Sequence, residues 1–231
     1  MIPLRDLNPA RNFPSVTVAI IAINALVFVL TMHDLGGAAQ RFGAIPALYT
    51  GDEIPAIVDG PPHRILRALS HMWMHGSFMH VLGNMWFLWV FGDNVEDRLG
   101  RARFAFLYFL AGFVAFSAQV ISAPGFQGPM IGASGAVSGV LGAYLVLYPR
   151  ARVLTLVPIG WFLTTMVWPA FVFLGLWFGL QVLQGVLTPP DVGGVAWWAH
   201  SAGFVVGLGL GRVLARPEPQ RKIRVDVGSW R

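Results

Sequence analysis

Residues Ile131–Tyr144 read IGASGAVSGVLGAY, an apolar stretch rich in glycine and alanine that carries two hydroxyls, Ser134 and Ser138. A serine in such a segment either packs or reacts, and its surroundings decide which. The chain has 231 residues, of which 55% are hydrophobic and only 12% charged. Soluble domains carry about twice that charged fraction. Apolar runs of roughly 17–20 residues recur along it, the length at which a helix crosses a bilayer core. The chain therefore reads as an all-α membrane protein with the lipid bilayer as its solvent. It has no cysteine, which excludes disulfides, thiol catalysis and cysteine-ligated metal.

Six spans are expected, at Val16–Met32, Ser77–Phe91, Ala102–Ile121, Ser134–Tyr148, Pro169–Leu187 and Trp197–Leu214. The first reads as an uncleaved helix rather than a signal peptide, since few charges precede it and five spans follow. His33–Met74 is too long for a tight turn and mixes apolar patches such as Ile65–Leu69 with proline and charge. It is expected to be an interfacial loop between helices 1 and 2. Val153–Trp168 is apolar but broken by Pro158 and Gly160, which leaves open an interfacial segment or an extension of the fifth helix. Residues 1–215 form one domain, and 216–231 read as a flexible cytoplasmic tail.

The net charge of +5 does not point to nucleic acid, because the basic residues flank the apolar runs. Thirteen of the sixteen fall on the side of the N-terminus, and only Arg41, Arg64 and Arg67 on the other. That asymmetry predicts a multi-pass protein with both termini cytoplasmic. Fifteen arginines against one lysine, with no transit peptide before the first span, suggest a bacterial inner membrane.

Ionisable groups inside a membrane are functional candidates, because each needs a partner there. The second span and its approach read SHMWMHGSFMHVLGNMWFLW over 70–89, with His71, His75, His80 and Asn84. His80 and Asn84 are four apart and share a helix face. The sixth span opens WWAHSAGFVVGLGLG over 197–211, which puts His200 just inside its outer end. His71 and His75 read as interface residues satisfied by a carbonyl or water. Their spacing would suit a zinc pair, but no HExxH, cysteine or deep carboxylate accompanies them, and neither metal nor cofactor is expected.

Gly135 and Gly139 on the fourth span, and Gly203 and Gly207 on the sixth, form stripes of small residues that let two membrane helices approach closely. Glycine stripes alone signify packing. Here each begins beside a chemically competent residue, Ser134 on one helix and His200 on the other. Contact of the two faces would place hydroxyl and imidazole within hydrogen-bond reach, which is how a serine becomes a nucleophile. Ser138 lies one turn deeper, where water for hydrolysis is harder to supply, so Ser134 is preferred.

GASG at 132–135, the His80/Asn84 pair and the His200–Gly203 stretch together resemble the rhomboid family of intramembrane serine proteases, across all six spans. The resemblance implies a six-helix rhomboid-like bundle in which Ser134 attacks, His200 acts as base, and His80 and Asn84 help bind the oxyanion. It also assigns Arg67 to the loop before the second span, and Glu96 and Arg98 to that span's end. Ser138 stands where a tyrosine often packs on the catalytic histidine, and Leu66 where a tryptophan often precedes the arginine.

No carboxylate lies in the outer half of the spans, so a Ser-His dyad is expected rather than a triad. The oxyanion donors would be the Ser134 backbone N–H, Asn84 and His80, and losing one such donor typically costs about 3 kcal/mol. Substrates would be single-span or polytopic membrane proteins, unwound locally before cleavage near the outer face. Sideways access past Trp86, Phe87, Trp89, Trp177 and Phe178 is expected. The competing reading is a catalytically silent rhomboid-like adaptor that binds transmembrane helices. A transporter is disfavoured because no internal repeat is visible.

Overall fold

The computed structural model describes residues 1–50, 64–189 and 194–217. Its elements are β1 (Ile2–Asp6), α1 (Ser15–Thr31), α2 (Leu35–Phe42), α3 (Ala47–Thr50), α4 (Arg64–Ser70), α5 (Phe78–Leu99), α6 (Arg101–Ser122), α7 (Ser134–Leu147), β2 (Arg152–Ile159), β3 (Phe162–Pro169), α8 (Ala170–Leu187) and α9 (Trp197–Leu214). A single turn of 3-10 helix, His71–Trp73, follows α4. Helices α1 and α5 to α9 correspond to the six expected spans. Of these, α6 and α8 are long and apolar enough to cross a membrane alone, while α1 turns through 118° into α2.

Helix α7 is the axis of the bundle. Every residue from Gly135 to Tyr144 is buried, because small side chains let neighbours close in from all sides. On the side of α9 the spacing is set by backbone. A Cβ on Gly203 would run into the carbonyl of Gly135, and one on Gly207 into the carbonyl of Gly139. On the opposite side, Gly135 and Gly139 admit the methyl groups of Ala115 and Ala111 from α6. Larger aromatic groups fill the wider gaps, with Phe91, Tyr144 and Phe173 fully buried in one core.

Helix α5 runs beyond its expected end at Phe91 to Leu99, because Val95 and Leu99 continue its buried face while its polar face holds other segments. The buried Glu96 carboxylate accepts from the Val16 N–H at 3.0 Å, the Thr17 N–H at 2.8 Å and the Thr17 hydroxyl at 2.9 Å. Helix α1 starts after Pro14 and lacks a side-chain cap of its own, so a residue some eighty positions away supplies it. Gly100, at φ +83°, then turns the chain directly into α6. Arg98 binds the far end of the domain: its guanidinium donates to the Arg216 carbonyl, and its own carbonyl accepts from the Arg216 N–H at 3.0 Å. Arg216, expected at the start of a flexible tail, is thus held. The rest of that tail, from 218, lies outside the described residues, as do 51–63 of the expected interfacial loop.

The all-α expectation needs correction. Residues 152–169 form an antiparallel hairpin that pairs with β1 in a sheet of order β1-β2-β3. The run is rich in valine, threonine and aromatics, which favour strands, and Pro158 and Gly160 forbid the helical extension. Gly160 and Trp161 close the hairpin between Ile159 and Phe162, and Gly160 takes the positive φ of +57° that such turns use. Pro158 is tolerated in the middle strand because β1 pairs with it only as far as Leu156. Segment His33–Met74 is likewise more ordered than a loop, with helices α2, α3 and α4 among its described residues. On α4, Arg67 and Ala68 are buried, whereas Ile65, Leu66 and Leu69 are exposed.

Strand β1 is attached to the bundle through Asp6. The Tyr144 hydroxyl donates to Asp6 Oδ2 at 2.5 Å and Asn94 Nδ2 to the same oxygen at 2.9 Å. Burial pushes this carboxyl up from 3.8 to about 6, with the Tyr144 hydrogen bond opposing the rise. The folded state therefore holds the proton more tightly than the unfolded chain. The contribution of Asp6 to folded-state stability is therefore full below pH 4 and is lost as pH rises through 6, where the buried carboxyl must ionise.

Two outcomes are expected. Gly207→Val should lower the thermal transition in detergent, by the 1–3 kcal/mol or so typical of overpacking or more. Gly209→Val, where a Cβ meets open space, should not; equal transitions would contradict the backbone contact. Asp6→Asn should raise the transition at pH 8 and leave it nearly unchanged at pH 4, as followed by differential scanning fluorimetry.

Candidate active site

The loop before α7 fixes the first reacting group. Gly132 takes φ +117°, closed to residues with a side chain, and its N–H donates to the His71 carbonyl at 2.9 Å. A Cβ there would also lie 2.7 Å from His80 Nε2. The turn therefore brings backbone against the His80 ring and delivers Ser134 as the first residue of α7. His200 sits in the first turn of α9. Because the two helix backbones touch, Ser134 Oγ lies 2.7 Å from His200 Nε2. Ser138 is turned elsewhere: its hydroxyl donates to the Ser134 carbonyl at 2.7 Å.

Ser134, His200, His80 and Asn84 line one cleft of about 670 Å³, open between the α5 start, the 126–131 loop and the segment before α9. The Ser134 N–H at the helix N-terminus, the Asn84 amide and the His80 ring thus border the same space. Asn84 is itself held, since its Nδ2 donates to His75 Nε2 at 3.0 Å. His75 is buried and lies edge-on to His80 at 5.0 Å. His71 has the role expected for both, with Nδ1 against the Ala68 carbonyl at 3.0 Å. His75 instead belongs to the site's framework. Arg67 is buried and donates to the Gln40 and Gly43 carbonyls at 2.5 and 3.3 Å, pinning the α2 end beside the cleft wall.

One neighbour of His200 was not anticipated. Gln181 of α8 is buried, and its Oε1 lies 2.9 Å from His200 Nδ1. Trp177, one turn earlier on the same helix, stacks on the imidazole at 6.3 Å and 27°. A polar amide inside the fifth apolar run was the available signal.

The expected aromatic wall divides. Phe87 and Trp177 border a second space of about 200 Å³ that reaches Ser134 and His200 between α5 and α8. Phe178 packs on Phe204 at 4.5 Å. Trp86 donates to the Pro3 carbonyl at 2.5 Å, and Trp89 borders the β1 side of the bundle.

The Rhomboid domain profile matches residues 62–217. The chain belongs to the rhomboid family. Among its relatives, the mouse presenilin-associated rhomboid-like protein, mitochondrial, is 28% identical over 200 residues, 82% of this chain and 46% of that protein. RHOMBOID-like protein 1 of Arabidopsis thaliana is 32% identical over 157 residues, covering 68% and 36%. Rhomboid protein 1, mitochondrial, of Saccharomyces cerevisiae is 31% identical over 169 residues, covering 68% and 44%. The chain spans less than half the length of these relatives. They contradict the expectation of a bacterial inner membrane: two are named mitochondrial and the third comes from a plant. Rhomboids are generally intramembrane serine proteases that act on transmembrane substrates.

On a serine-protease reading of this cleft, Asn84→Ala should lower kcat for a peptide substrate by about 10²–10³ with little change in the thermal transition. A change in KM alone would contradict this placement.

Proposed function

We propose that this rhomboid is an intramembrane serine endopeptidase that cuts transmembrane substrates near the membrane face opposite its basic side. The observation that carries the reading is the 2.7 Å approach of Ser134 Oγ to His200 Nε2 in a cleft that His80 and Asn84 also line. His200 takes the hydroxyl proton as Ser134 Oγ attacks the scissile carbonyl carbon. The oxyanion forms against the Ser134 N–H, Asn84 and His80. His200 then returns the proton to the leaving amine, and water cleaves the acyl-enzyme by the same route.

The remaining parts serve this chemistry. Helices α1 and α5 to α9 are the six spans, residues 1–215 are the working unit, and the exposed apolar face of α4 rests in the membrane interface. Gly135, Gly139, Gly203 and Gly207 hold the α7–α9 distance. Arg67 fixes the loop, while Glu96 and Arg98 tie α1 and the end of α9 to α5. A substrate helix must unwind before its peptide bonds reach Ser134, since helical carbonyls are otherwise engaged. The space beside Phe87 and Trp177 gives a sideways path.

The test is cleavage of a single-span reporter in proteoliposomes. Ser134→Ala and His200→Ala should each abolish cleavage while leaving the thermal transition within a few degrees. Full activity in either variant would overturn the assignment. Binding of the reporter without cleavage by the unaltered chain would favour an adaptor.

A further inference from the structure

The contact between α8 and the base deepens the proposed mechanism and rests on it. To accept the Ser134 proton, His200 Nε2 must carry a lone pair, so in the neutral ring the hydrogen sits on Nδ1. A buried N–H without an acceptor is costly. The acceptor facing Nδ1 is Gln181 Oε1 at 2.9 Å. The alternative tautomer would leave Nδ1 a lone pair and point Nε2–H at Ser134, which cannot then transfer its proton. With Oε1 turned towards Nδ1, Gln181 accepts from Nδ1–H and so favours the reactive form. It also fixes the ring plane, because Trp177 on the same face of α8 stacks at 27° on that ring while Gln181 holds its edge.

We propose that Gln181 is a positioning residue that sets the tautomer and orientation of His200, so the site is a serine–histidine–glutamine arrangement rather than an unsupported dyad. An amide oxygen accepts a hydrogen bond but carries no charge. Gln181 therefore orients the base without forming an ion pair with the imidazolium. The Nδ1 proton stays on His200 throughout, and only the serine proton moves.

The test compares Gln181→Leu and Gln181→Glu with the unaltered chain, using steady-state cleavage of a single-span reporter in proteoliposomes. Leucine removes the acceptor at similar volume, and glutamate restores it. The expected result for Gln181→Leu is a fall in kcat of about ten- to a hundredfold, the cost of a misplaced group, with KM within about twofold. Gln181→Glu should recover most of that loss, and both variants should keep their thermal transition. Retention of kcat by Gln181→Leu would overturn the inference, and so would failure of glutamate to restore it. An unaltered chain that cuts no reporter would instead overturn the protease reading itself, and this inference with it.

Discussion

The close approach of α7 and α9 is the constraint on which the rest of this structure depends. Two helices normally stand 8–10 Å apart because side chains intervene. Here Gly203 and Gly207 press against the carbonyls of Gly135 and Gly139, and no side chain stands between. A short serine side chain can then reach an imidazole on the neighbouring helix. The same small-residue composition that makes IGASGAVSGVLGAY look featureless is what brings its hydroxyl to His200.

The two ends of the bundle use polar groups differently. At the end away from the cleft, Glu96, Arg98 and Asp6 bind backbone groups and hydroxyls of segments remote in sequence, tying α1, β1 and the α9 exit to α5 and α7. At the cleft end, each polar group holds another in place: His71 the Gly132 turn, His75 the Asn84 amide, and Gln181 the His200 ring. The first set stabilises the fold. The second leaves Ser134, His80 and part of Asn84 facing open space, which is the arrangement that preorganised chemistry requires.

Much of this was legible in the sequence where the signal was local. Helix α9 occupies Trp197–Leu214 as expected, and α7 begins at Ser134 because the turn at Gly132 and Ala133 sits directly before it. The meeting of Ser134 with His200 followed from the matching glycine stripes. The hairpin was not legible, since a short apolar run with proline and glycine fits several conformations and its partner strand lies some 150 residues away in the chain. Gln181 was passed over because a single amide barely alters an apolar run, and its value appears only once α8 is seen against α9. Arginine-rich composition carried no information about the compartment.

The central claim is that the alcohol of Ser134 is activated by the ring on the adjoining helix. A crystal structure of the protein inactivated by diisopropyl fluorophosphate tests it most directly. The account predicts phosphorus bonded to Ser134 Oγ, with the phosphoryl oxygen turned towards His80 and Asn84. An adduct on Ser138 or any other serine, or no adduct at all, would contradict it.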